Sequence, residues 1–375
     1  MSGTLQTAVR GSSRTELVTD EREFAALEPA WGRLYRRCGA ATPFQNHAWL
    51  HSWWLSYGMP GRLRLMVVRD GGELRAVAPL MRQRRPLPAL VPLGGSITDY
   101  GDVLLDDEYA DRAAATLTEG LSEAARSALI DFREVRPGGA AERIYERWRG
   151  PRRRVRDSVC LELPATSMDE LAGRLASSKA QRVRAKLRKL TALGVEQHVV
   201  GPDGVGAALH RLLELHRLQW EGRSMTAEHV QERFCEHLVR SVVPMVRSGD
   251  AVVTEFRLDD SVVAVDLTLL SRCLVGGYLY GAHPRLRERK ADVAVMLLSA
   301  CTRHTEGSGR GTLSLLRGDE PYKHHWRPET VVNQRLLLAR HRTAPLMSAV
   351  VCDVAARNRG RELMRGRQEQ EGGRP

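Results

Sequence analysis

The sequence repeats one order of secondary structure, and this repeat limits the fold more than any other feature. Two apolar runs that close around the Asp-Gly-Gly at 70–72 predict a β-hairpin over residues 62–81. A second hairpin, predicted over residues 251–270, closes around the acidic pair at 259–260 and lies about 185 residues further along. Each hairpin precedes a third strand, a helix and a further strand. A unit that occurs twice favours a duplicated α/β lobe over two unrelated domains.

The helix and the last strand of each unit follow from hydrophobic spacing. Alanines and leucines at helical spacing predict a helix over about 107–126, before a buried strand at 128–135. The second unit carries a predicted strand at 273–281, a helix over about 291–305 and a strand at 312–318. We therefore predict an α/β protein of two tandem lobes, each a mixed sheet flanked by helices, packed into one compact molecule.

The repeat divides the chain into two predicted lobes and a tail, and the sequence shows no signal for a membrane or for secretion. We place the first lobe at 15–160 and the second at 161–345. Residues 357–375 are polar and rich in Arg, Gln and Gly, and this composition predicts a disordered tail. No apolar run approaches the roughly 20 residues that span a bilayer, so no membrane insertion is expected. The first 16 residues lack the apolar core of a secretion signal, and we expect a cytoplasmic protein.

Charge and cysteine content narrow the partners. The formal net charge is +12, which favours anionic partners, although only five of the 57 basic residues are lysines and an Arg-rich composition explains part of the charge. The six cysteines are isolated, without a Cys-x-x-Cys pair, so reduced thiols are expected rather than disulfides or a zinc site. No cluster of His, Cys and Asp has the spacing of metal ligands, and we expect no metal.

A strongly basic segment lies between the two units. Residues Arg174–Lys189 contain seven cations and no acid, with leucines and a valine at helical spacing along one side. This run has two interpretations. It could contact the phosphates of a tRNA, which requires many cations, or it could be a solvated helix of an Arg-rich protein.

The stretch Leu315–Trp326, LLRGDEPYKHHW, gathers reactive side chains that are rare elsewhere in the chain. We predict that a strand ends here, turns on Gly318 and starts a helix at Pro321, with Asp319 or Glu320 as its cap. Lys323 would then lie in the first turn, beside a helix N-terminus that tolerates anions. Tyr322 and His325 would share one face. The alternative is a purely structural helix start, with Tyr322 and Trp326 in the core.

Four stretches, in this order, resemble the CelD/FemAB-like branch of the GNAT acyltransferase superfamily. They are FQNHAWLHSWW, LGGSITDYGDVLL, RVRAKLRKLTALG and LRGDEPYKHHW, and the match covers roughly residues 43–340. The resemblance implies two GNAT-type lobes and transfer of an acyl group from a thioester or ester donor to an amine. Most GNAT enzymes use acetyl-CoA, whereas Fem-type enzymes use aminoacyl-tRNA.

The resemblance also implies where a donor would bind. The strand at 273–281, including Tyr280, would polarise the acyl carbonyl through its backbone. The loop at 282–292 would hold the phosphates of CoA. This loop lacks the glycines of the GNAT pattern Gln/Arg-x-x-Gly-x-Gly/Ala, so side-chain charge would have to replace backbone contacts; a solvated basic loop is the alternative. The candidate phosphate ligands are Arg285, Arg287, Arg289 and Lys290.

The resemblance places Tyr322 as the general acid for the leaving group, with Lys323 stabilising negative charge beside it. For the base we choose Asp266, an acid within an apolar strand, because burial among apolar neighbours should raise its pKa toward neutrality. The alternative is that Asp266 has no catalytic role and lies at a strand edge or faces a polar groove. Glu255 and Asp319 are rival bases.

Further residues are candidates for binding the acceptor. The Thr-Asp-Tyr-Gly-Asp stretch could recognise an amine or sugar, although a plain turn explains it equally well. Trp220 could reach the cleft with His216, or could simply pack between helices. The acceptor-binding candidates are Asp99, Tyr100, Asp102, Trp220, Asp319 and His325.

The function that these predictions favour is N-acylation of a polar small molecule, such as an envelope or secondary-metabolite precursor, with acetyl-CoA or another acyl-CoA as donor. Two alternatives remain. One is a Fem-like transferase that uses aminoacyl-tRNA, and the other is a non-catalytic binding module.

Overall fold

The computed structural model describes residues 13–219, 226–305, 307 and 309–356. Its helices in chain order are α1 Glu21–Ala26, α2 Glu28–Arg37, α3 His47–Tyr57, α4 Ala110–Ala124, α5 Ala141–Arg147, α6 Met168–Gly173, α7 Ser177–Ala192, α8 Val205–Gln219, α9 Glu232–Ser248, α10 Arg285–Glu288, α11 Val293–Thr302 and α12, which covers 344–356. Its strands are β1 Arg14–Val18, β2 Leu63–Asp70, β3 Glu73–Gln83, β4 Ala89–Pro92, β5 Leu104–Leu105, β6 Leu129–Val135, β7 Arg152–Pro164, β8 Glu196–Val199, β9 Ala251–Leu258, β10 Ser261–Leu270, β11 Leu274–Ala282, β12 Thr312–Arg317 and β13 Glu329–Leu338.

These strands form one 13-stranded mixed sheet in the order β1-β2-β3-β4-β6-β13-β7-β12-β11-β10-β9-β8, with β5 beside β3. Counted outward from the central pair β13 and β7, the two halves of the sheet have the same arrangement of strands. On each side a hairpin leads to a strand that pairs in parallel with the strand following the lobe's main helix, β4 with β6 and β11 with β12. The predicted α/β fold of two repeated lobes is therefore confirmed.

Both predicted hairpins are present and turn in the same way. The β2–β3 turn uses Gly71 and Gly72, and the β9–β10 turn uses Asp259 and Asp260, with positive φ at all four residues. Two consecutive residues with positive φ match the right-handed twist of paired strands. Glycine adopts this conformation without strain, and Asp is among the few other residues that tolerate it.

The lobes exchange strands at the centre of the sheet. β7 comes from the first half of the chain but pairs with β12 of the second, and β13 comes from the second half but pairs with β6 of the first. β7 and β13 also pair with each other along most of their length. The position 160/161, where we divided the chain, therefore falls inside β7.

Helices cover both faces of the sheet and enclose several apolar clusters. Trp49 and Trp53 of α3 are buried in the largest cluster. α8 packs directly on β11 at Gly281, where a Cβ atom would lie 2.3 Å from the carbonyl oxygen of Leu212. This contact fixes α8 against the strand that borders the candidate site. In the described part of the chain, no helix has the length and apolar character needed to cross a bilayer.

Candidate functional site

The candidate site lies in a wedge between two parallel strands. β11 and β12 pair only over Leu274–Gly276 and Thr312–Ser314, after which the strands separate. A register shift between Leu267 and Thr268 of β10 bends β11 at the point of separation. The far half of β11 is therefore free of strand neighbours on the side that faces β12.

The stretch after β12 closes the wedge, but it does not form the predicted helix. Lys323–Trp326 form a single 3₁₀ turn, and Arg327 ends it with a positive φ of 52° before β13 begins. Asp319 accepts a hydrogen bond from His324 (2.6 Å) instead of capping a helix. The prediction of a helix N-terminus was wrong, because Gly, Asp and Pro before a buried Trp suit a tight turn as well as a helix start. Lys323 thus gains no helix dipole beside it.

Tyr322 stands where three cavities meet. Its side chain is 51% exposed, so it is not the core residue of the structural alternative, whereas Trp326 is buried. The inner cavity, of about 110 Å³, lies in the wedge; the large cavity, about 770 Å³, extends along the far half of β11; and the basic cavity, about 240 Å³, extends along α7. Tyr322 lines all three, and burial, with the neighbouring Glu320 and Tyr280, raises its pKa to about 12. The phenol is therefore protonated at neutral pH and able to donate.

The inner cavity brings together four of the predicted site residues, Asp266, Tyr280, Tyr322 and Lys323. Asp266 is 3% exposed, and burial raises the pKa of its carboxyl to about 7. Its Oδ2 accepts a hydrogen bond from Oγ1 of Thr268 (2.7 Å), which opposes that effect only in part. A carboxyl that titrates near neutrality can accept a proton at physiological pH.

Lys323 is largely buried and its ammonium already has partners. Nζ lies 2.8 Å from Oε2 of Glu320 and donates to the carbonyl oxygen of Arg317 (3.1 Å). These contacts hold the turn that carries Tyr322. Asp319 and His325 are both exposed, and of the two only His325 lines one of the three cavities, the basic one.

The loop at 282–292 fits a diphosphate poorly. Arg285 and Arg289 point toward Asp259 (3.5 and 3.9 Å), and only Arg287 of the four predicted basic ligands lines the large cavity. At the start of α11, Oδ1 of Asp292 accepts the backbone N–H of Val295 (3.0 Å). A carboxylate therefore occupies the helix N-terminus that would otherwise attract phosphate.

Positive charge concentrates instead on the basic helix, which is α7, as predicted. Lys179, Arg182 and Lys186 line the basic cavity beside Tyr322. Lys186 also forms an ion pair with Asp292 (2.6 Å), so one carboxylate is shared between the basic helix and the start of α11.

The free edge of β11 is held by α8, a feature that our sequence analysis missed. Nδ1 of His216 donates to the carbonyl oxygen of Tyr280 (2.7 Å), and Oε1 of Gln219 accepts the N–H of Ala282 (3.1 Å). Nε2 of Gln219 donates to the hydroxyl of Tyr280 (3.0 Å). His216 and Gln219 thus orient the strand that borders the wedge. Only the earlier suggestion that His216 reaches the cleft pointed toward this role.

The Thr-Asp-Tyr-Gly-Asp stretch lines none of the three cavities, although the Tyr100 hydroxyl contacts Ser314 of the inner cavity wall (2.8 Å), and it joins the lobes instead. Asp99 forms an ion pair with Arg317 (3.1 Å), and burial raises the pKa of Asp99 to about 6. The Tyr100 hydroxyl donates to Glu162 (3.1 Å). Asp102 accepts three backbone N–H groups at 2.7 Å, two of them at the start of α5. The polar groups of these side chains form contacts within the protein, as the plain-turn alternative expects.

Two further predictions concern Trp220 and metal binding. Trp220 lies outside the described residues. Within the described ranges, no group of three or more His, Cys, Asp or Glu side chains is arranged to hold a metal ion.

Comparisons with known proteins cover the part of the chain that holds the candidate site. Residues 177–324, from the start of α7 to the turn that holds Tyr322, match the family model described as an acetyltransferase (GNAT) domain. A comparison with curated proteins gave no match.

Among solved structures, FemX is 12% identical, with 86% of this chain and 96% of FemX covered at a TM-score of 0.57. L-PGS from Bacillus licheniformis is 12% identical, with 89% and 96% covered at 0.55. The C-terminal domain of a putative lysylphosphatidylglycerol synthetase from Agrobacterium fabrum is 13% identical, with 88% and 96% covered at 0.55. At these identities the likeness establishes the fold.

Proposed function

We propose that this chain, in which residues 177–324 match a GNAT acetyltransferase domain, transfers an acyl group from an activated ester or thioester donor to an amine beside Tyr322. The observation that carries the proposal is the meeting of three cavities on one phenol, in the wedge between β11 and β12. One cavity for the donor, one for the acceptor and a shared inner chamber are what a two-substrate transfer requires.

The residues of the inner cavity supply the proton transfers. The amine nitrogen attacks the acyl carbonyl, the new C–N bond forms, and the bond from the carbonyl carbon to the donor's sulfur or oxygen breaks. Asp266 takes the proton that the amine loses, because its pKa of about 7 leaves much of it ionised at neutral pH. Tyr322 gives a proton to the departing sulfur or oxygen. Lys323 and Glu320 hold the turn in place.

The charges on the two outer cavities differ, and this difference suggests which substrate uses which. The basic cavity is lined by Lys179, Arg182 and Lys186, which favour phosphates. The large cavity is lined by Glu320, which pairs with Lys323, and by Asp292, which also lines the basic cavity and pairs with Lys186. Arg287 is the one cation that lines the large cavity among the described residues, so this cavity is less positive than the basic one and suits an amine better. We therefore assign the donor to the basic cavity and the acceptor amine to the large one.

The donor that this charge distribution supports best is aminoacyl-tRNA. The exposed cations of α7 continue beyond the cavity along the helix, and a nucleic acid provides many phosphates for such a row of cations. Acyl-CoA is the second candidate. It is favoured by the volume of the large cavity, about 770 Å³, and by Arg287, but the Asp292 carboxylate opposes a diphosphate at the start of α11.

A donor screen with charge-reversed variants tests the proposal. The purified chain is incubated with ¹⁴C-labelled acetyl-CoA, longer acyl-CoAs and tRNA charged with labelled amino acids, each with a mixture of polar amines, and label in amide products is measured. Lys179→Glu with Arg182→Glu should abolish transfer from tRNA, whereas Arg22→Glu with Arg84→Glu, a matched reversal on exposed residues of the first lobe, should not. If label is transferred from none of the donors, the proposal of an acyltransferase is rejected and the alternative of a non-catalytic binding module is favoured.

A further inference from the structure

A fourth cavity, of about 490 Å³, lies between the lobes and shares no lining residue with the other three. Its walls come from α2 and α3 of the first half of the chain and from α9 and the turn after it in the second. The volume is in the range of small-molecule sites, about 300–1,000 Å³, and such sites are common between domains. We call it the interlobe cavity.

Two opposite charges face the interlobe cavity without pairing. Arg36 and Asp250 both line it, and burial raises the pKa of the Asp250 carboxyl by more than its hydrogen bonds and the guanidinium groups of Arg36 and Arg310 lower it. Among the described residues, no ion pair within 4.0 Å involves either side chain. Oδ2 of Asp250 accepts hydrogen bonds from Asn46 (2.9 Å) and Ser248 (2.6 Å), whereas Oδ1 has no hydrogen-bond partner in the described part of the chain.

Two residues that line this cavity carry polar atoms that the fold leaves unsatisfied. Tyr35 is 5% exposed, and its buried hydroxyl has no hydrogen-bond partner among the described residues. Nε2 of His51, which also lines the cavity, is in the same condition. A buried polar group without a partner costs roughly 1–3 kcal/mol, so native proteins rarely retain one unless something else satisfies it.

The remaining charges of the cavity are committed or exposed. Arg240 lies near Glu236 (3.5 Å) and donates to Ser56 (3.1 Å), whereas Glu28, like Arg36, is exposed and forms no ion pair among the described residues. His47 and His51 stack on each other (5.3 Å between ring centroids), and burial lowers the pKa of His47 to about 4, so that this imidazole is neutral. The unpaired charges that line the cavity are therefore one cation, Arg36, and two anions, Asp250 and the exposed Glu28.

We propose that the interlobe cavity binds a small zwitterion of amino-acid size, with its carboxylate on Arg36 and its ammonium on Asp250 and the Tyr35 hydroxyl. A zwitterion pairs with both Arg36 and Asp250 and gives the Tyr35 hydroxyl a hydrogen-bond partner, which neither a simple cation nor a simple anion does. Because the walls come from both halves of the chain, the ligand bridges the lobes. This site is independent of the proposed transfer reaction and shares none of its residues.

Isothermal titration calorimetry with the full chain tests the inference. The probes are the twenty proteinogenic amino acids, followed by the N-acetyl and carboxamide derivatives of the tightest binder, which remove the ammonium and the carboxylate in turn. We expect saturable binding of at least one amino acid, at least tenfold weaker binding of both derivatives, and at least a tenfold rise in Kd for Arg36→Gln. Arg33→Gln, on the same helix but beside Glu73, is the matched control and should bind normally.

Tyr35→Phe separates ligand binding from folding, because it removes an oxygen that has no partner in the described structure. The variant should fold with a melting temperature at or above that of the wild type and should bind the amino acid more weakly. The inference is overturned if no amino acid gives saturable heat, if the derivatives bind as tightly as the parent, or if Arg36→Gln binds like the wild type.

Discussion

Tyr322→Phe separates a catalytic phenol from a structural one. The change removes one hydroxyl and keeps the ring. Tyr322 is half exposed, and its hydroxyl makes no hydrogen bond to another described residue, so the loss in unfolding free energy should stay below about 0.5 kcal/mol. Since 1 kcal/mol shifts the melting temperature of a 150–250-residue domain by about 2–4 °C, the shift here should be under about 2 °C.

The expected effect on turnover is much larger. Loss of a general acid typically costs about 10²–10⁴-fold in rate, which corresponds to about 2.7–5.4 kcal/mol in the activation barrier. We expect kcat to fall by that factor while the KM values change little, because the hydroxyl acts on charge that develops only in the transition state. Single-turnover kinetics on the donor identified by the screen, with melting temperatures on the same preparations, measure both effects.

Tyr145→Phe is the matched control, because it makes the same chemical change on α5, away from the three cavities. It should leave turnover unchanged. Normal turnover in Tyr322→Phe, together with a stability loss of roughly 1–3 kcal/mol, would mean that the hydroxyl has a buried partner and serves the fold. That result would refute the assignment of Tyr322 as the acid.

Three further changes test the surrounding residues. Burial raises the pKa of Asp266 from 3.8 to about 7, which corresponds to a penalty on the order of 4 kcal/mol for ionising this carboxyl in the native state. The native state therefore binds the proton more tightly than the unfolded state does, and the free energy of unfolding falls by about that amount as the pH rises from about 4 to 7. Asp266→Asn should thus be more stable than the wild type in urea titrations at pH 8 but not at pH 4, and should lose the rise in kcat/KM that the wild type shows as the pH increases toward 7. Arg287→Ala should leave tRNA-dependent transfer within about twofold, and a tenfold higher KM for acyl-CoA alone would instead favour the second donor. Arg317→Met leaves the partly buried Asp99 and Glu134 without their cation and should destabilise the protein by about 1–3 kcal/mol in chemical unfolding, whereas an unchanged midpoint would show that these ion pairs contribute little.

The elements that the sequence predicted well are those with local signals. The turns at 70–72 and 259–260 have the residues that positive φ requires, and the spacing of apolar residues predicted α4, α7 and α11. The strand exchange of β7 and β13 was not predicted, because pairing between distant segments leaves no periodic trace in either one. Nor does spacing show that α8 holds the edge of β11, since this contact depends on a backbone approach at Gly281.

The candidate site shows the same division. Asp266 was identified because an acid within an apolar strand is unusual, and Tyr322 because its neighbours resembled a family motif. The turn at 323–326 was mistaken for a helix, since Pro321 after two acids suits either structure and the burial of Trp326 decides between them. The unpaired charges of the interlobe cavity could not be predicted, because Arg36 and Asp250 are more than 200 residues apart in sequence.

A crystal structure with a stable donor analogue tests most directly whether acyl transfer takes place beside Tyr322. Suitable analogues are an amide-linked 3′-aminoacyl-adenosine with its 5′-phosphate and a thioether analogue of an acyl-CoA. We predict that the acyl group enters the inner cavity, with its carbonyl carbon between Asp266 and Tyr322, and that the phosphates lie against Lys179 and Arg182. An analogue that binds at full occupancy elsewhere, with the wedge between β11 and β12 empty, would contradict the proposed site.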